Sequence, residues 1–234
     1  MSGVSFMPRL GNTPDIGTPV SLANAISTAA ARTTFSFTTG TSIPAGALVV
    51  VAVQAGFAVA QTISSITDGT NSYSAFVTNA FDASTQLMGA VWYKENAAAV
   101  SSGATITATF SGSTIAQPTI VQVAYFTGIA LASAIDASNT STSVNTTTYA
   151  SGSSGALAQA KETVVGFVGM YNANATITES TGFSNIGTTA QGAGSFFQSR
   201  LSYTTVGTTT ALNYQPSPST ATYGKCFIAT FRGM

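Results

Sequence analysis

The chain has 234 residues, of which 44% are apolar and only 6% charged, with seven basic and seven acidic side chains and no histidine. That much apolar material can build a core and argues against disorder. The missing imidazole removes Ser-His-Asp and Cys-His catalysis and every histidine metal site. The scattered charges form neither the basic stripe that nucleic acid demands nor the polybasic cluster that an anionic membrane surface demands.

Residues 1–32 read as an extended arm and lead-in. Pro8, Pro14 and Pro19, with Gly11 and Gly17, block regular pairing, and Val20 to Arg32 has weak helical character. Phe6, Met7, Pro8, Arg9, Leu10 and Ile16 give the arm enough apolar surface to act as a strap that docks on a partner. No secretory signal is expected, because no hydrophobic segment follows Arg9.

From residue 33 to 234 the expectation is one β-sandwich domain. Thr33–Thr38 opens it, and Leu48–Val53 is a continuous valine-rich run of the kind that is covered on both faces. The longest apolar stretch, 45–59, is interrupted by Gly46, Gln54 and Gly56 and is too short to span a bilayer. Gln61–Thr67 and Tyr73–Val77 are expected to form a hairpin closed by Asp68-Gly69-Thr70-Asn71. Gln86–Glu95 follows. Ala104 to Phe110 then alternates strictly, with Ala104, Ile106, Ala108 and Phe110 on one face and Thr105, Thr107 and Thr109 on the other. Further strands are expected at Ile120–Thr127, Thr163–Val168, Thr176–Glu179, Ser195–Val206, Thr210–Tyr214 and Tyr223–Arg232. No stretch carries a capped helical period.

A weak internal echo links Val49–Val53 to Val164–Val168, and Ala124–Ile129 to Ala229–Met234. One sandwich, with each half supplying strands to both sheets, is preferred. Two tandem sandwiches joined through the polar stretch Ser138–Ser154 are the alternative.

Chemistry is sparse. Asp68, Asp82, Glu95, Asp136, Glu162 and Glu179 each sit where a turn or strand-flanking role suffices, so no carboxylate pair is assigned to catalysis. Asp68 and Asn71 are too few oxygens for calcium. No phosphate loop, metal site or cofactor is expected, and Cys226 reads as a small buried hydrophobe. The sequons at Asn139, Asn145 and Asn174 are what a chain more than a quarter serine and threonine produces by chance. Trp92, Tyr93, Tyr73, Tyr171, Tyr203 and Tyr214 could stack on sugars if exposed, against a default of core packing.

Four segments together resemble a jelly-roll-like module found in virion proteins of tailed bacteriophages. They are Ile63-Ser-Ser-Ile66-Thr-Asp68-Gly69-Thr-Asn71-Ser-Tyr73, Trp92-Tyr93-Lys94-Glu95-Asn96, Ile106-Thr-Ala-Thr-Phe110-Ser-Gly112 and Val123-Ala-Tyr125-Phe126-Thr-Gly128. The likeness spans residues 45 to 140 and carries over no functional residues. It implies an all-β, two-sheet antiparallel sandwich with an N-terminal arm, serving as a non-enzymatic capsid decoration or cement protein assembled in a host cytoplasm. The expected partners are the major capsid protein, tail proteins and further copies of itself, as in a trimer. A tail-fibre or glycan-binding module, and a surface-filament subunit, are the alternatives.

Overall fold

The computed structural model describes residues 15–27, 30–83, 86–172, 174–190 and 197–234. Among them every regular element is a strand, and every pairing is antiparallel. In the first half these are β1 (Val20–Ile26), β2 (Thr34–Thr38), β3 (Leu48–Gly56), β4 (Ile63–Thr67), β5 (Ser74–Asp82), β6 (Leu87–Lys94), β7 (Thr105–Phe110) and β8 (Ile120–Phe126). The second half has β9 (Ile135–Thr146), β10 (Glu162–Met170), β11 (Ile177–Thr178), β12 (Ser184–Ala190), β13 (Gln198–Val206), β14 (Ser217–Pro218) and β15 (Thr222–Arg232).

Four layers stack on one another. The inner two are five-stranded sheets, one in the order β1-β8-β3-β6-β5 and the other in the order β12-β13-β10-β15-β9. They face each other across a cluster built from Leu48, Val50, Ala52, Ala124 and Phe126 on one side and Val165, Phe167, Phe227, Ala229 and Phe231 on the other. The small sheet β2-β7-β4 covers the far side of the first, burying Phe35, Phe37, Ile63, Ile66, Ile106 and Phe110 against Val49, Val51, Val53 and Trp92. The β11-β14 pair, with Tyr149, Phe183 and Tyr214 from neighbouring segments, covers Val164, Val168, Cys226 and Ile228 of the second. β3 and β10 are therefore buried on both faces along their whole length, which is why they read as unbroken apolar runs.

The antiparallel sandwich is as expected, but the division of labour differs. Every strand of one central sheet comes from residues 20–126 and every strand of the other from 135–232, so the halves do not exchange strands. Ser138–Ser154, considered as a linker, instead contributes most of β9, which pairs with β15. A polar edge strand needs only its backbone ladder, so it leaves no apolar alternation to read.

Val20–Ile26, expected as a helix or irregular lead-in, is the edge strand β1 on β8, with Leu22 buried. Its Val-Ser-Leu-Ala-Asn-Ala-Ile sequence is satisfied equally by either period, and the open ladder of β8 decides it.

The Asp68 turn forms, with Asp68 N–H donating to Asn71 C=O at 3.2 Å, but it closes no hairpin. It passes the chain from β4 in the outer sheet to β5 in the central one, leaving only the Thr67–Ser72 bridge between them. Thr210–Tyr214 is not a strand. Asn213 bridges Ser153, and regular pairing comes only at Ser217–Pro218, against β11. Pro216 and Pro218 lack N–H donors, which limits this edge to two residues.

Candidate assembly surface

The strands β2 and β7 present alternate residues outward, and β4 joins them past an irregularity at Ser64. Thr34, Ser36 and Thr38 on β2, Thr105 on β7, and Ser64 and Ser65 on β4 are exposed, while Thr107, Thr109 and Thr67 are half-buried. Register aligns them in ranks: Thr34 beside Thr109, Ser36 beside Thr107 and Thr38 beside Thr105. The inward residues of the same strands are Phe35, Phe37, Ile63, Ile66, Ile106, Ala108 and Phe110. A two-residue period thus places hydroxyls on one face and the core on the other. No residue of these three strands is charged. Ser36 and Thr107 hydrogen-bond through their hydroxyls at 2.8 Å. Beside the face is Arg32, whose guanidinium lies 5.6 Å from the Phe35 ring centroid. Such a face loses little on desolvation, because a hydroxyl recovers its cost through one hydrogen bond whereas an unpaired charge does not.

The docking residues expected in the arm divide. Phe6, Met7, Pro8, Arg9 and Leu10 lie outside the described residues. Ile16 is described, and it packs on the cluster between the halves, against Gly233. Its apolar surface is therefore spent within the chain. The neighbouring backbone is anchored as well, with Gly17 N–H donating to Thr127 C=O at 3.1 Å. Beside it is an open cleft of about 340 Å³ lined by Asp15, Ile16, Lys161, Thr205, Val206 and Gly207. Its charged groups already serve one another, with Lys161 Nζ 3.8 Å from Asp15 Oδ1 and 3.0 Å from the Met234 carbonyl it donates to.

The aromatic side chains considered for sugar stacking are committed to packing. Trp92, Tyr73 and Tyr214 are buried. Tyr93 meets Phe231, Tyr203 meets Phe126, and Tyr171 meets Phe197.

Most of the acidic side chains carry structural hydrogen bonds. Asp68 Oδ1 accepts from Thr70 N–H and Asn71 N–H, and its Oδ2 accepts from Asn71 Nδ2 and Tyr73 OH. Burial opposes the charge, but these four donors outweigh it and hold the carboxyl below its usual range. Glu95 caps the connection between the halves, accepting from Ser133 N–H at 3.3 Å and Ala134 N–H at 2.6 Å. Glu179 accepts from Ser202 Oγ at 2.7 Å and pairs with Arg200 at 3.7 Å.

Glu162 is the exception that sequence reading missed. It and Asp136 lie on the two strands that flank β15, and Asp136 is held by Arg232 at 2.5 Å and by Ala158 N–H at 2.7 Å. Both Glu162 oxygens are buried and meet no hydrogen-bond donor. Burial pushes its carboxyl up, and the negative charge of Asp136 adds to the shift. Lys161 beside it in sequence suggested an ordinary solvated flank, and only the third dimension reveals the burial. Among the described residues no group of three or more Cys, Asp or Glu gathers as a metal site would require.

No protein-family model, curated protein or solved structure matches the chain.

Proposed function

We propose that this chain is a non-enzymatic structural protein of a virion, a capsid decoration or cement protein that docks through its uncharged hydroxyl face. The observation that carries the docking is the face itself: three strands that put hydroxyls outward in register and carry no charge. The phage setting rests on the sequence resemblance. The strand order supports the jelly-roll reading. With β1-β8-β3-β6 over β2-β7-β4, strands that neighbour in space are joined through long crossovers in the Greek-key manner, and the second half repeats this with β9-β15-β10-β13 over β14-β11.

Size decides how such a face could work. Three strands about 4.8 Å apart and five residues of about 3.3 Å each span roughly 14 by 17 Å. A stable complex buries about 800 Å² per partner. One copy is therefore too small to hold alone, and several copies on a symmetric shell would bind by avidity.

The test is electron microscopy of particles from cells that make the protein together with a shell protein. Copies at regular positions on a shell or tail support the reading. A free filament, or no association at any protein concentration, overturns it. Because the face is uncharged, attachment is expected to survive a change from low to high salt.

A further inference from the structure

The two central sheets meet with the same contacts made twice. The ladders fix which residues correspond: Val49 sits between Lys94 and Tyr125 as Val164 sits between Thr204 and Thr230. Tyr93 then corresponds to Tyr203, and Phe126 to Phe231. Those four rings form two equivalent pairs across the junction, Tyr93 with Phe231 at 5.7 Å and Phe126 with Tyr203 at 6.3 Å. The edges repeat the pattern, β1 lying against β12 and β5 against β9. So does the backbone, with Met234 N–H donating to Gly128 C=O at 2.9 Å and Ile129 bridging Gly233. A junction of this kind is self-complementary by symmetry, like that of a two-fold dimer.

Three positions break that symmetry. Ser199 Oγ donates to Gln122 Oε1 at 3.1 Å. At the equivalent place the ring of Phe227 lies over Gly89, where a Cβ would come 2.8 Å from Phe227 Cε2. Nearer the centre, Gln54 lies over its own counterpart Gly169 and donates to Met170 C=O at 3.0 Å. Two first halves would bury Gln122 twice against a glycine that offers it no donor and would press Gln54 on Gln54. Two second halves would drive Phe227 into Ser199 twice. A buried amide oxygen without a donor and an overpacked ring each cost on the scale that decides pairing.

We infer that this face is a recognition surface that accepts the opposite half and rejects its own kind, so that its partner outside the chain is the opposite half of a second copy. The connection permits the exchange. Residues 127–134 can extend to about 27 Å, and in the closed form they are held by Glu95 on Ser133 and Ala134 and by Arg232 Nη1 on Ser133 C=O. Exchange runs first half to second half, head to tail, which closes rings or grows chains. It holds whether or not the virion reading does.

The test uses the full chain with a protease site inserted after Leu131, which is exposed. Cut in the folded state, the halves are expected to elute together at the native volume. Two preparations bearing different N-terminal tags are then mixed, denatured and refolded, both uncut and cut. The uncut chains should yield species carrying both tags. A pull-down on one tag from the cut sample should bring down second halves and no first half of the other preparation. Separation on cutting, refolded halves that do not reassociate, recovery of like halves, or uncut chains that return only as singly tagged monomers would each overturn the inference. The Gly89→Ser, Phe227→Gln double variant supplies a Gln–Ser pair at both sites and removes the clash between second halves. A second tag on the C-terminus should then report second-half pairs raised about tenfold, the ratio given by 1.4 kcal/mol; no rise overturns the role of these positions.

Discussion

Arg232 stands directly across from Glu162 in the β10–β15 ladder, yet it gives its guanidinium to Asp136 and to the Ser133 carbonyl. Glu162 is left fully buried without a hydrogen bond, and its carboxyl is raised above its ordinary value of 4.5. A carboxyl raised in the folded state favours folding below its unfolded value and loses that contribution as pH climbs through the folded one. Stability should therefore decline from about pH 4.5 upward until the folded value is passed. Asp136 works in the opposite sense. Burial opposes its charge, but the Ala158 N–H and the Arg232 guanidinium prevail and lower its value, so its contribution fades only as pH falls below 3.8. Glu162→Gln, which mimics the protonated acid, should leave the melting temperature at pH 4 nearly unchanged and raise stability at pH 7. Thermal melts of both proteins across pH 4 to 8 check it, and parallel curves would refute it.

The Asp68 turn makes the opposite prediction. Its carboxylate holds four donors, and Asn71 extends the network by exchanging two hydrogen bonds with Ala98, at 3.1 and 2.8 Å. Asp68→Ala should cost about 3 kcal/mol, because hydrogen bonds to a charged group are worth about 1.5–3 kcal/mol and the donors would be left unpaired. Since the folded value lies below 3.8, the wild-type advantage should be complete above that pH and shrink as pH falls through the folded value. Urea titrations at pH 7 and pH 2.5 test this; equal differences at both would contradict it.

What could be read from the chain tracks how strongly each strand is buried. β3, β7 and β10 were legible because covering one or both faces with apolar residues leaves an alternating or continuous pattern. The edge strands β1, β9 and β12 were not, because one neighbour and a polar surface ask nothing distinctive of their side chains. The repeat showed as an echo of valine runs, but a sharper signal was present. Ile66-Thr67-Asp68-Gly69-Thr70-Asn71-Ser72-Tyr73-Ser74 returns as Ile177-Thr178-Glu179-Ser180-Thr181-Gly182-Phe183-Ser184, the same exit from β4 and β11. Read together, those two turns would have favoured two units over one. The hydroxyl face was visible in the alternation of Ala104 to Phe110, whereas the burial of Glu162 depends on which loops cover the end of β10.

Cys226 is fully buried on the outward face of β15, with its Sγ donating to Tyr214 C=O at 3.5 Å. Burial raises the thiol well above its ordinary value, so the nucleophilic thiolate is scarce as well as hidden. The folded protein should show no reaction with an aromatic disulfide reagent at pH 8 over minutes, and one full equivalent in denaturant. Between those limits the rate should follow the opening of the second half and slow in step with any variant that stabilises it. Prompt native labelling would mean that β15 is accessible.

The hydroxyl face yields the prediction that bears most directly on function. Ser36 is exposed and Thr107 half-buried beside it, and both side chains point away from the core, so charge placed there should cost the fold little. Ser36→Lys with Thr107→Lys puts two like charges opposite one another on adjacent strands, a destabilisation of about 0.2–1 kcal/mol. At an interface the same two ammonium groups would be stripped of water with no acid to receive them, a far larger penalty. The variant should melt within a few degrees of the parent while its attachment to the shell falls by at least about tenfold, equivalent to 1.4 kcal/mol. Co-sedimentation with particles measures attachment, and circular dichroism measures the melt. Undiminished attachment would move the docking surface elsewhere on the molecule. Attachment lost at low salt and restored at high salt would show that the partner meets this face with positive charge of its own, because screening relieves repulsion between like charges and leaves the contacts of uncharged hydroxyls unchanged.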